Sequence, residues 1–178
     1  EEKSFDAQGT VTLPLKYGIR FNANKFMIEH PSLIEGFRPN DLACFMVPSS
    51  PEDIAKVKDA VGPICKLTGL LRLDVQLSNV NDEDLAEIDK LNNLQDLNLN
   101  FTDITGGALA KLKRLKELES LSFNFNKGTH ELVQALAGSE KIHDLSLDSP
   151  DQPLSEDDLR EIAKMKDIHI LNLQTCEL

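Results

Sequence analysis

A chain of 178 residues suffices for one domain with a real core, and 40% hydrophobic against 28% charged residues fits a globular chain rather than a disordered one. Thirty acidic residues against 19 basic ones give a formal net charge of -11. No basic stripe locally reverses that field, so nucleic acid is excluded as a partner; no run approaches the roughly 18 apolar residues of a membrane-spanning helix.

The chain starts Glu1-Glu2-Lys3-Ser4, without an initiator Met or an apolar leader, and so reads as a processed or trimmed product. Residues 1–15 form an N-terminal capping segment; its β-like run Thr10-Val11-Thr12-Leu13 is expected to pair beside the next strand. From residue 16 self-similarity takes over. Irregular copies occupy 16–66: Ile19-Arg20-Phe21 with Asn24, then Leu42-Ala43-Cys44-Phe45-Met46-Val47. Ile19 and Phe45 stand as equivalent anchors 26 residues apart, and Phe45 lies 28 before Leu73. Ser50-Pro51-Glu52-Asp53 starts a helix with proline at the first helical position.

Regular copies occupy 67–178. Leu70-Leu71-Arg72-Leu73-Asp74-Val75, Leu94-Gln95-Asp96-Leu97-Asn98-Leu99 and Leu118-Glu119-Ser120-Leu121-Ser122-Phe123 superimpose directly. Ile142 to Leu147 and Ile168 to Leu173 are the fourth and fifth, and the anchors Leu73, Leu97, Leu121, Leu145 and Leu171 are 24, 24, 24 and 26 residues apart. In the second half of each unit, Asn81, Thr105, Thr129 and Ser155 stand four residues before Leu85, Leu109, Val133 and Leu159. All four are helix N-cap types, and Asn81/Asp84 and Ser155/Asp158 read as capping boxes with Asp in place of Glu. Leu85-Ile88-Leu91, Leu109-Leu112-Leu115 and Leu159-Ile162-Met165 supply apolar helix faces.

These copies resemble the leucine-rich repeat, L-x-x-L-x-L-x-x-N/C-x-L, over residues 16–178. Leu94 to Ile104 fits every apolar position, with Thr102 at the Asn site; that Thr, with Ile104-Thr105, Gly107 and Leu109, resembles the bacterial type with 24-residue repeats. Cys176 sits at the Asn/Cys site of the last copy and Leu178 follows it. The resemblance implies an α/β right-handed solenoid of about six to seven repeats, with a curved parallel sheet on the concave side and short helices on the convex side. No unit buries its core alone; the stack does. Leu178 is the last consensus position and no polar cap follows, so the natural chain is expected to continue, or the open edge to associate.

In that architecture the concave face carries Arg72, Asp74, Gln76, Asp96, Asn98, Asn100, Ser120, Ser122, Asn124, Asp144, Ser146, Asp148, Asn172 and Gln174, because side chains alternate along a strand. Leu77, Phe101 and Phe125 occupy one position in three consecutive repeats and form an apolar ladder beside Gln76, Asn100 and Asn124. Two readings are open. The ladder folds inward, the commoner fate of apolar residues at a repeat period, or it stands out as a strip for an unknown protein or peptide, with Asp74 and Asn98 adjoining.

Other chemistry is thin. Cys44, Cys65 and Cys176 form no disulfide framework or metal spacing and read as small semi-buried hydrophobes. The acidic runs Asp82-Glu83-Asp84 and Glu156-Asp157-Asp158 lie in first helical turns, where carboxylates oppose the helix dipole, and neither has a calcium-loop pattern. No catalytic or cofactor-binding fingerprint occurs, and no cofactor or metal is expected. A non-catalytic binding module is the leading expectation. The rivals are a structural protein assembling through its open C-terminal edge and a hydrolase built on His143 with Asp144 and Asp148. A trimmed acidic start without disulfides suits an exported bacterial protein over a cytosolic one.

Overall fold

Each three-residue strand points its central residue inward, and that residue is the repeat anchor. In the computed structural model, which describes residues 18–48 and 57–174, the strands are β1 (Arg20–Asn22), β2 (Cys44–Met46), β3 (Arg72–Asp74) and β4 (Asp96–Asn98), then β5 (Ser120–Ser122), β6 (Asp144–Ser146) and β7 (Ile170–Asn172). They form one parallel seven-stranded sheet in chain order, as an α/β repeat solenoid requires. Phe45, Leu73, Leu97, Leu121, Leu145 and Leu171 lie in one lateral row, and the first five are buried. Flanking rows, Leu70-Leu94-Leu118-Ile142 and Val75-Leu99-Phe123-Leu147, are buried too.

The first repeat corrects the expected register. Phe21, not Ile19, pairs with Phe45, which brings the interval to 24 residues. A slip of two keeps the same side chains facing inward, so alternation alone could not detect it. Packing decides: the Phe21 ring lies 5.2 Å from Phe37 and 5.5 Å from Phe45, and Ala23 takes the buried place that follows. Asn24 is thereby freed from the consensus Asn position and caps α1 (Lys25–Glu29), accepting from Met27 N at 3.0 Å.

The return segments are short helices: α2 (Val57–Cys65), α3 (Leu85–Ile88), α4 (Gly106–Leu109), α5 (Thr129–Leu136) and α6 (Glu156–Ile162), with 3-10 turns at Pro31–Gly36, Asp82–Asp84 and Leu115–Glu117. Both expected capping boxes form: Asn81 with Asp84, and Ser155 with Asp158. Thr105 caps α4, accepting from Ala108 N at 3.2 Å. Thr129 does not cap. The cap of α5 is Gly128 in the left-handed region (φ 78°), and Thr129 is the first helical residue. The reason lies in the next repeat, where Asp151 Oδ1 accepts from Gly128 N (3.1 Å) and Thr129 N (3.4 Å) and replaces the local cap.

Repeats are also clamped to one another. A Cβ on Gly106 would overlap the Gly128 carbonyl, so glycine alone permits this approach of α4 to the next turn. The acidic runs are spent internally: Asp82 bonds Thr105, Glu83 pairs with Lys58, Asp84 completes its box, and Glu156 and Asp157 pair with Arg160. Cys44 and Cys65 are buried, and burial raises both thiols, Cys65 to about 12, which leaves them unreactive hydrophobes. Among the described residues no helix is long and apolar enough to cross a membrane. Residues 1–15, the Ser50–Asp53 helix start, Cys176 and Leu178 lie outside the described residues.

Candidate partner-binding face

The outward residues of the strands form rows across the sheet. Arg20, Cys44, Arg72, Asp96, Ser120, Asp144 and Ile170 make one; Asn22, Met46, Asp74, Asn98, Ser122, Ser146 and Asn172 make the next. Arg72 Nη1 meets Asp96 Oδ2 at 3.0 Å. Burial raises Asp96, and Arg72 partly opposes the shift.

Asp74 is not the exposed recognition group expected of it. It is 2% exposed, its Oδ2 accepts from Asn98 Nδ2 at 3.1 Å, and its Oδ1 accepts from Gln76 N at 3.2 Å. Burial raises its carboxyl above the ordinary range, against the pull of those hydrogen bonds. Asn98 is similarly occluded: its Oδ1 accepts from Asn100 N at 3.1 Å. Asn100 Oδ1 accepts from Asn124 N (2.8 Å), while Asn124 Oδ1 accepts from Asp148 N (2.6 Å) and the Ser146 hydroxyl (2.9 Å). These side-chain oxygens thus lace repeat to repeat. Gln76, Asn100 and Asn124 are themselves half-buried.

The ladder stands outward. Phe101 and Phe125 are 47% and 48% exposed, and their rings stack with centroids 4.1 Å apart and planes 15° apart. Leu77 is half-buried. Backbone bonds continue the sheet's spacing through this row: Leu77 N to Asn100 O at 2.9 Å, Phe101 N to Asn124 O at 3.0 Å, and Phe125 N to Asp148 O at 3.2 Å. The inward residues are instead those that follow: Ser78 and Thr102 donate to Val75 O (2.6 Å) and Leu99 O (2.8 Å), and Asn126 donates to Thr102 Oγ1 (2.8 Å).

Sequence reasoning missed the backbone here. Leu77, Phe101 and Phe125 have φ of 53°, 55° and 60°, and Ser149 on the fourth rung has φ 52°. The left-handed region costs a bulky residue about 1–2 kcal/mol, which a Gly or Asn would largely avoid. A stacked aromatic pair returns about 0.5–1.5 kcal/mol. The available signal was the polar residue following each rung (Ser78, Thr102, Asn126), whose inward bond demands a tight turn just before it.

His143 Nε2 lies 3.7 Å from Glu119 Oε2, and its ring is 6.2 Å from that of His169, at the strand entrances. A concavity of about 280 Å³ between α5 and the β6–α6 loop holds His130, Asp158 and Ser155. There His130 Nδ1 is 2.7 Å from Asp158 Oδ1, and the Ser155 hydroxyl donates to Asp158 Oδ2 at 2.8 Å, so the serine faces the carboxylate and not the imidazole. A nucleophile needs the base beside it, and that contact is not made.

No protein-family model matches the chain, and no curated protein matches it. Among solved structures it is similar to the crystal structure of an internalin (inlF) from Listeria monocytogenes str. 4b F2365, at 16% identity and a TM-score of 0.47, with 77% of this chain and 43% of that chain covered. The chain thus spans less than half the length of that protein. Such a likeness concerns the fold alone.

Proposed function

We propose that this chain is a non-catalytic protein- or peptide-binding module that receives its partner along Leu77, Phe101 and Phe125 and the amide row beside them. The observation that carries the reading is two half-exposed phenylalanines, stacked on each other, in backbone that disfavours them. A turn needing only φ above zero is best served by glycine or asparagine. Large apolar side chains retained there at local expense, and pointed outward, favour recognition over packing. Gln76, Asn100 and Asn124 supply donors at the rim, and Asn98 and Asp74 act behind them by holding the row in place.

The test compares the wild type with a folded Phe101→Ala/Phe125→Ala variant in pull-downs from the source cells' extract and secreted fraction. A partner captured by the wild type and lost by a variant of near-equal melting temperature supports the reading. Identical capture by both proteins, or a variant that no longer folds while Leu77→Ala alone also collapses the fold, returns the ladder to packing.

A further inference from the structure

The two asparagine amides beside the ladder are locked in one orientation. Asn100 Oδ1 accepts from Asn124 N, and Asn124 Oδ1 accepts from Asp148 N and the Ser146 hydroxyl. A backbone N–H cannot accept, so neither amide can be turned over, and each Nδ2 stays a donor. Neither Nδ2 has a partner among the described residues. The buried side-chain atoms without a partner are Arg72 Nε, Asn126 Oδ1 and Thr129 Oγ1. Both Nδ2 groups therefore touch solvent.

The acceptors around them are already engaged. The carbonyls of Asn100, Asn124 and Asp148 take the N–H groups of Leu77, Phe101 and Phe125. Asn98 Oδ1 takes Asn100 N, and Asp74 is 2% exposed. Gln76 makes no side-chain hydrogen bond among the described residues and adapts to either need. Stacked Phe101 and Phe125 thus run along a rim of fixed, partially positive N–H groups, and a complementary partner brings neutral acceptors.

That one-sidedness sorts the classes of partner. A carboxylate is all acceptor, but the net charge of -11 repels it. An extended β-peptide brings as many N–H groups as carbonyls. Its same-side repeat of about 6.6 Å also fits neither one rung of the ladder, about 4.8 Å, nor two, about 9.6 Å. A polyproline II segment has no internal hydrogen bonds and open carbonyls, and each proline removes an N–H. Its turn of three residues, at about 3.1 Å each, advances about 9.3 Å and so matches two rungs.

Resting on the binding reading above, we infer that the occupant is a proline-rich segment in the polyproline II conformation, lying across the strands along the ladder. Prolines three residues apart meet rungs two apart, Leu77 and Phe125, with Phe101 between them. Their rings pack on the apolar strip, and carbonyls on the amide side accept from Asn100 Nδ2 and Asn124 Nδ2. The segment is stiff before it binds, so little ordering entropy opposes docking on a shallow strip.

The probes are fluorescent decaproline and two alanine–proline peptides of one length and composition, one with proline at every third position and one with uneven spacing. The whole chain should bind decaproline and the regular peptide, and the uneven peptide about tenfold more weakly. Asn100→Asp and Asn124→Asp keep the oxygen that receives the next repeat's N–H and replace the donor by a second oxygen. Each should keep a urea midpoint near that of the wild type while weakening decaproline about tenfold. Equal binding of the regular and uneven peptides, or decaproline binding that both aspartate variants retain in full, would overturn the inference. Random displayed peptides, selected on the whole chain and counter-selected on Phe101→Ala/Phe125→Ala, separate it from the reading it rests on. Ladder-dependent peptides without proline enrichment would overturn the inference and leave the binding reading standing. No ladder-dependent peptide, with no binding of decaproline, would overturn both.

Discussion

Asp82 of one repeat accepts from both the backbone N–H (2.7 Å) and the hydroxyl (2.9 Å) of Thr105 in the next. Thr105 in turn caps α4, so one carboxylate fixes the orientation of a residue that fixes a helix in the neighbouring unit. In a solenoid, stability is a sum of weak units and the interfaces between them, and this bond belongs to the interface. Asp82→Ala should cost about 1 kcal/mol, the scale of an exposed hydrogen-bonded cap, read as a lower denaturant midpoint. Thr105→Ala should cost a similar amount. Because both changes remove one network, the double variant should lose less than the sum of the single losses. Full additivity in that cycle would show that the two residues act separately.

At Phe101 the ranking of small residues should invert. At an ordinary position alanine is more stabilising than glycine, because glycine gains more freedom on unfolding. Here φ is 55°, and alanine inherits the left-handed penalty while glycine escapes it. Phe101→Gly should therefore be more stable than Phe101→Ala, by about 0.5–1 kcal/mol in equilibrium denaturation. Phe101→Asn should fall between them. Should alanine prove the better residue, the ladder's backbone is not left-handed in solution.

How much of this was readable in advance follows from the range of the forces concerned. The anchors from Leu73 to Leu171 and the capping boxes at Asn81 and Ser155 were legible, because periodicity and capping are local patterns repeated in register. Alternation reads Ile19 as the anchor in place of Phe21, because a two-residue slip preserves it, and only contact with Phe37 and Phe45 distinguishes the registers. Alternation puts Asp74 on the correct face but does not carry its exposure, since its occlusion comes from Asn98 and the backbone of Gln76 across and along the strand. The ladder's position was evident from spacing, whereas its outward direction depended on φ signs that apolar side chains do not announce.

Thr129 offers a test of the displaced cap. Its hydroxyl is buried and has no hydrogen-bond partner among the described residues, while its backbone N–H is held by Asp151. An unsatisfied buried hydroxyl is a liability, and an isosteric methyl removes it. Thr129→Val should be neutral or stabilising by up to about 1 kcal/mol, in contrast to Ser155→Val, which removes a working cap and should cost about 1 kcal/mol. A loss at Thr129 as large as that at Ser155 would mean that the threonine caps α5 after all.

Two buried carboxylates should push the pH dependence of stability in opposite directions. At Asp74 burial dominates and the folded-state pKa lies above the ordinary value of 3.8. Its contribution is fully present below the unfolded value and is lost as pH rises through the higher folded value. At Asp158 burial is again the largest single influence and pushes upward, but the hydrogen bonds from Ser155, Gln134 and His130 together outweigh it and hold the folded value below 3.8. That contribution is present above the unfolded value and is lost as pH falls through the folded one. Urea midpoints measured across the acid range should therefore show Asp158→Asn losing most relative to the wild type near neutrality and converging with it in acid. Asp74→Asn should do the reverse, gaining relative to the wild type as pH rises from acid toward neutrality. If both variants shift in the same sense, one of the two sites does not exist in solution with the hydrogen bonds described here.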